Sequence, residues 1–168
     1  MATELRVRRI LPSEGTLLRD LRLRSLGDAP YAFGETVKEA QARHDAEWRL
    51  MARRAATGDA QAWFVADRSD EPVGIVRGRR RRPTTLLLFS MWVDPIARRS
   101  RVGQQLVAGL EAWARTWGAD QTVLWVIDGN DGALAFYRQL GFEVVPSGED
   151  AESGAEHGAL ALARDITP

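Results

Sequence analysis

The spacing of apolar and polar positions predicts a chain of strands that gives way to strand, helix, strand, helix and strand. Residues 5–10, Leu-Arg-Val-Arg-Arg-Ile, alternate with the period of a half-buried strand. Pro12, Ser13 and Glu14 open a helix carried by Leu17, Leu18, Leu21 and Leu26, and the stretch from Gly27 to Pro30 should end it. A loop over 31–36 and a second helix over 45–56, stopped near Gly58, come next. Residues 61–67 and 72–77 read as antiparallel neighbours joined through 68–71. The run 84–93 is so apolar that it predicts the most buried strand. Val102, Leu106, Val107, Leu110, Trp113, Ala114 and Trp117 recur at steps of three and four, one face of a helix over 102–117. Residues 122–127 form another buried strand, and 131–140 a short helix closed by Gly141. Strands over 142–145 and 160–163 complete the pattern, which contains no repeat or linker. It predicts one α+β domain over 1–168 with a mixed sheet.

The junction after residue 93 carries the first chemistry. Val93-Asp94-Pro95 leads through Arg98, Arg99, Ser100 and Arg101 into the helix that begins at Val102. A helix start presents unpaired N–H groups and a positive dipole end. Three arginines crowd that end, where each cation is disfavoured by about 0.3–1 kcal/mol. An anion seated among these donors reverses the sign, so the junction reads as a phosphate site. It is not a P-loop, since no Gly-Lys-Ser/Thr occurs, and no G-x-G-x-x-G follows a strand.

Composition narrows the rest. The 168 residues carry 23 basic and 23 acidic side chains, a formal net charge of zero, which favours neither nucleic acid nor a membrane surface. Cysteine is absent, and His44 and His157 are the two histidines, so no metal site is expected. No segment has the length of a membrane helix or the pattern of a signal peptide. A soluble, cytoplasmic protein is expected.

The second informative segment runs from Asn130 to Phe142. Ala133, Phe136, Tyr137 and Leu140 share a helix face, and Asn130 and Tyr137 stand two turns apart, roughly 10 Å along the axis. Each has an ordinary structural explanation, Asn130 as a helix cap and Tyr137 as a half-buried aromatic. Taken together, Arg98-x-x-x-x-Gly103 after Val93-Asp94-Pro95, and Asn130-x-x-Ala133-x-x-Phe136-Tyr137-x-x-Leu140-Gly141-Phe142, resemble the GCN5-related N-acetyltransferase superfamily. Residues 32–36, Ala-Phe-Gly-Glu-Thr, with Glu47-Trp48, look like features of one small bacterial branch of it.

The resemblance implies a mostly antiparallel central sheet with flanking helices, splayed between its two central strands, with acetyl-CoA in the gap. Backbone groups near Met91 and Val93 would hold the pantetheine arm. The loop and helix start comprising Arg98, Arg99, Ser100, Arg101, Val102, Gly103 and Gln104 would cradle the pyrophosphate. Asn130 would bond the pantetheine, Phe136 would pack on it, and Tyr137 would protonate the departing thiolate as general acid. Glu35, Asp94 and Asp128 are candidate bases by position alone. The acceptor is expected to be a small-molecule amine. A peptide N-terminus is one alternative, and a non-catalytic acyl-CoA-binding module another.

One position departs from the family pattern. Arg101 stands where that pattern has glycine, and an arginine held in a left-handed conformation costs about 1–2 kcal/mol. A right-handed Arg101, with Ser100 capping the helix, is the expectation. Arg77 to Pro83 reads as a solvated hairpin tip, and Ser147 to Glu156 as its polar, mobile acidic counterpart. The two could pair within one molecule or across a homodimer. Trp113 and Trp117 fit a core stripe, and Met91 and Trp92 must face opposite sides of their strand.

Overall fold

The computed structural model describes residues 4–166. Seven strands form one sheet in the order β1-β2-β3-β4-β5-β7-β6. They are β1 (Leu5–Arg9), β2 (Gln61–Arg68), β3 (Glu71–Arg81), β4 (Thr85–Val93), β5 (Gln121–Ile127), β6 (Glu143–Val144) and β7 (Ala159–Asp165). Every neighbouring pair is antiparallel except β4 and β5, which are parallel. The helices are α1 (Gly15–Asp28), α2 (Val37–Ala42), α3 (Asp45–Ala56), α4 (Val102–Arg115), α5 (Asp131–Gln139) and α6 (Glu149–Glu156).

Two apolar cores lie on opposite faces of the sheet. Leu106, Val107 and Leu110 of α4 pack with Leu86, Leu88, Leu124 and Tyr137 on one face. Leu18 and Leu21 of α1 and Trp48 of α3 pack with Trp63, Ile75 and Trp92 on the other. Burial of each such aliphatic side chain contributes about 1.5–3 kcal/mol, so both helical layers are fastened to the sheet. The expected Trp113–Trp117 stripe is present, the rings meeting edge to face at 5.6 Å. Ser69 and Asp70, both at positive φ, make the tight turn between β2 and β3 that matches the twist of a hairpin.

Several expectations change. α2 lies in a stretch where no helix was expected; its signal is the short capping box Thr36-x-x-Glu39, in which the two residues satisfy each other's backbone N–H groups. The supposed tip from Arg77 to Pro83 is mostly strand, because β3 runs on to Arg81. Its arginines lie over aromatic rings, Arg77 over Trp63 and Phe89, and Arg80 over Trp117, which explains why charged residues continue a buried strand. The acidic segment is the helix α6, not a mobile loop: Asp150 accepts two bonds from Arg81, at 2.6 and 2.9 Å, and Trp125 donates its indole N–H to the Asp150 carbonyl. The basic and acidic segments therefore pair within one molecule. β6 shrinks to two residues.

Candidate functional site

The site begins where two parallel strands part. β4 and β5 pair at Thr85 with Gln121, Leu86 with Thr122 and Leu87 with Val123, and nowhere beyond. β4 then continues to Val93 and β5 to Ile127. The edge of β4 past Leu87 thus has backbone groups without a strand partner on that side. The cause is local. Opposite β3, the register slips between Ile75 and Arg77, which face Trp92 and Phe89, and Ser90 within that interval has φ 54°. This bulge bends β4 and resets its alternation. Leu86 and Leu88 belong to the α4 face, Trp92 to the opposite face, and Met91 and Val93 to the α4 face again. Met91 and Trp92 do face opposite sides.

A cleft of about 620 Å³ fills the gap. Met91, Asn130, Ala133 and Tyr137 line it, while Val93, residues 98–104 and Phe136 do not. Asn130 caps α5, its Oδ1 accepting the Ala133 N–H at 3.2 Å, which leaves its amide N–H groups for the cleft. Tyr137 is 6% exposed and held edge-on by Phe136 at 5.0 Å and Phe142 at 5.5 Å. Burial pushes its phenol well above its ordinary pKa, so it is a proton donor at neutral pH. Phe136 rests on α4: a Cβ at Gly103 would come within 2.9 Å of its ring. That close approach explains the glycine.

The loop before α4 differs from expectation in one decisive respect. Arg101 is left-handed, with φ 63° and ψ 1°, and Arg99 has φ 61°. Ser100 does not cap the helix; its hydroxyl donates to the Ala97 carbonyl and accepts from Arg68. Nor, among the described residues, does any side chain cap the N-terminus of α4, so the N–H groups of Val102, Gly103 and Gln104 have no helical or capping partner there. Arg98 turns away, its Nε donating to the Val93 carbonyl at 3.0 Å and its Nη2 pairing with Asp28. The Val93 carbonyl is therefore already engaged.

The three candidate bases lie apart from the cleft lining. Glu35 receives Arg22 at 2.9 Å and Arg43 on its other oxygen. Burial favours a neutral Asp94, but the Ile96 N–H and the Arg24 guanidinium outweigh it and hold this carboxyl below its usual range. Asp128 is exposed. Sequence reasoning overlooked other lining residues: Arg22 of α1, Arg79 of β3, and Glu149, Ser153 and His157 of α6 and its end. The last three recur at steps of four, a single helix face, and this was the available signal.

The model of the Acetyltransferase (GNAT) family matches residues 22–142, and the chain belongs to that family. An uncharacterized N-acetyltransferase of Methanocaldococcus jannaschii is 30% identical over 112 residues, 63% of this chain and 47% of that protein. The chain thus spans about half the length of this curated relative. The acetyltransferase of GNAT family from Streptococcus pneumoniae has the same fold, with TM-score 0.76 and 19% identity over 98% of this chain and 100% of that one. So does the PaiA N-acetyltransferase of Thermoplasma acidophilum, solved in complex with coenzyme A, with TM-score 0.74 and 11% identity over 97% and 99% of the two chains. Among the described residues, no helix is long and apolar enough to cross a membrane.

Proposed function

We propose that this protein transfers the acetyl group of acetyl-CoA to the primary amine of a small molecule by direct attack. The observation that carries the reading is the parting of β4 and β5 after Leu87 and Val123, with Tyr137 buried in the wall of the resulting cleft. Two further features of the chain fit a thioester donor bearing a pyrophosphate. The first turn of α4 is uncapped and follows two left-handed arginines, a concave run of N–H groups suited to an anion. The free edge of β4 can bond an extended amide-containing arm as an added strand would.

When bound, acetyl-CoA supplies an activated acyl group on a thiol leaving group. The residues divide the remaining work. Val102, Gly103 and Gln104 donate backbone N–H groups to the pyrophosphate, and the Arg99, Ser100 and Arg101 backbone shapes that cradle. Arg98 anchors the loop to Val93 and Asp28. Asn130 donates its side-chain amide to the pantetheine, and Phe136, seated on Gly103 outside the cleft lining, fixes α5 against the start of α4. A backbone N–H near Met91 polarises the thioester carbonyl. Tyr137 gives its phenolic proton to the leaving sulfur. A thiol near pKa 8.5 is nominally the weaker base, but the apolar wall that raises Tyr137 disfavours a thiolate as well.

The amine must shed a proton, which for a lysine-like amine costs about 4–5 kcal/mol at pH 7. His157 is placed to accept it. Its Nδ1 lies 2.8 Å from the Ser153 carbonyl, which can only accept, so Nδ1 carries the hydrogen and Nε2 is left as the basic atom. Release of coenzyme A thiol across a panel of small amines tests the proposal. Amine-dependent thiol release is expected; acetyl-CoA binding without turnover of any amine would leave a non-catalytic acyl-CoA-binding module.

A further inference from the structure

In and behind one wall of the cleft, five arginines, Arg22, Arg43, Arg77, Arg79 and Arg81, stand against three carboxylates, Glu35, Glu149 and Asp150. Arg22 is 7% exposed, its Nε donates to Glu35 at 2.9 Å, and Arg43 pairs with the same carboxylate. Two guanidinium groups therefore share one negative charge, and the buried Arg22 Nη1 has no hydrogen-bond partner. Arg77 is in the same field. Its Nη2 reaches only the neutral Gln61 amide oxygen at 3.3 Å, and its Nε is buried without a partner. Arg79 lies over the Phe89 ring, 5.6 Å from its centroid, and among the described residues it pairs with no carboxylate. Arg81 offers the contrast, since Asp150 satisfies it with two bonds.

A buried guanidinium with an idle donor is costly to maintain, and it stands in the wall of a cleft. The Phe33 ring under Arg22, 4.9 Å from its guanidinium carbon, and the stacked Phe89 and Trp125 rings beside Arg79 give the same cleft apolar surface that weakens screening by water. The donor's phosphates have their place elsewhere, at the start of α4. Arg22 belongs to α1, which packs on the other face of the sheet.

We infer that Arg22 and Arg79 form an oxyanion subsite for the acceptor, so that the substrate class is an amine that also bears a carboxylate, phosphate or phosphonate group. The inference rests on the acetyltransferase reading. The anion lies against the arginine wall while the amine reaches through the gap toward Tyr137. Arginine suits the task because its planar fork matches two oxygens of such a group.

The test compares ω-amino carboxylates and aminoalkylphosphonates with alkylamines of equal chain length, using acetyl-CoA as donor. For the wild type, kcat/KM should favour the oxyanion-bearing member of a pair by about tenfold or more, the scale of one charged hydrogen bond. The series with the larger ratio identifies the anion. Arg79→Gln should collapse that ratio toward one, mainly through KM. Arg22→Gln should do the same, and if its loss of the Glu35 pair prevents folding, Arg79→Gln still decides. A ratio near one in the wild type, or a ratio that survives Arg79→Gln, overturns the inference. Calorimetry with N-acetyl-β-alanine gives a readout free of turnover. Binding that weakens by about tenfold in Arg79→Gln supports the subsite even if no amine is acetylated, and absence of binding to the wild type counts against it.

Discussion

The cleft lining from β4 and α5, with the start of α4 behind it, is shaped mostly by backbone, whereas the lining from α1, β3 and α6 consists of long side chains. On the first, a bulge at Ser90, an uncapped helix start and a glycine under Phe136 set the shape. On the second, Arg22, Arg79, Glu149 and His157 come from elements far apart in the chain. A backbone-built wall tolerates exchange of most side chains and suits a ligand that does not vary. A wall of side chains can be rewritten residue by residue, which suits an acceptor that differs between relatives.

Tyr137 carries the proposed proton transfer, so its removal should have the largest effect. Tyr137→Phe keeps the ring packing and deletes the proton donor. Turnover should fall by about 10²-fold or more, with acetyl-CoA affinity changed little. Unchanged turnover would take the acid role from Tyr137; a parallel loss of donor affinity would make it a binding residue.

His157→Gln probes the opposite wall and should be milder, on the order of tenfold in turnover, because solvent can also accept the proton. Rescue by free imidazole is the signature of a lost proton acceptor. A variant with full activity would leave the base to Glu149 or to water.

Arg101→Gly tests the backbone wall alone. A left-handed arginine should give way to glycine with a gain of on the order of 1 kcal/mol, raising Tm by about 2–4 °C. Weaker acetyl-CoA binding in that variant would show that the Arg101 side chain also touches phosphate, and tighter binding that it obstructs it. A lower Tm would contradict the strain.

The last effect touches stability alone and concerns the scaffold that carries Arg22. Glu14 precedes α1 and receives two bonds from Arg8, at 2.8 and 2.9 Å. Burial favours its neutral form, but Arg8 and the Leu11 N–H outweigh it and lower its carboxyl pKa. A depressed folded-state pKa means stability that is present above the unfolded value, about 4.3, and lost as pH falls through the folded value. Glu14→Gln should cost about 1–2 kcal/mol at pH 6 and flatten the acid limb of urea unfolding. An acid limb as steep as the wild type's would assign it to other carboxylates.

The same contrast explains what was legible in the sequence. The strand over 84–93, the helix from Val102 and the segment from Asn130 to Phe142 are local patterns, whose periodicity, and for the last its Asn130 cap, is written in adjacent residues. The bulge at Ser90 left no mark, since a serine in an apolar run carries no turn signal. Arg101 defied expectation because a left-handed arginine is unfavourable in isolation and is imposed by the loop around it. Arg22 and Arg79 were unreadable for another reason, and the spacing that puts His157 on one face with Glu149 and Ser153 does not say what that face meets: only the sheet order brings α1, β3 and the end of α6 to one cleft.

Calorimetric titration of the wild type with acetyl-CoA tests the central claim most directly. Saturable one-to-one binding with a dissociation constant below about 1 mM, the upper range of ordinary KM values, is predicted. No binding at millimolar acetyl-CoA by a folded protein would contradict the assignment of the β4–β5 gap as its site.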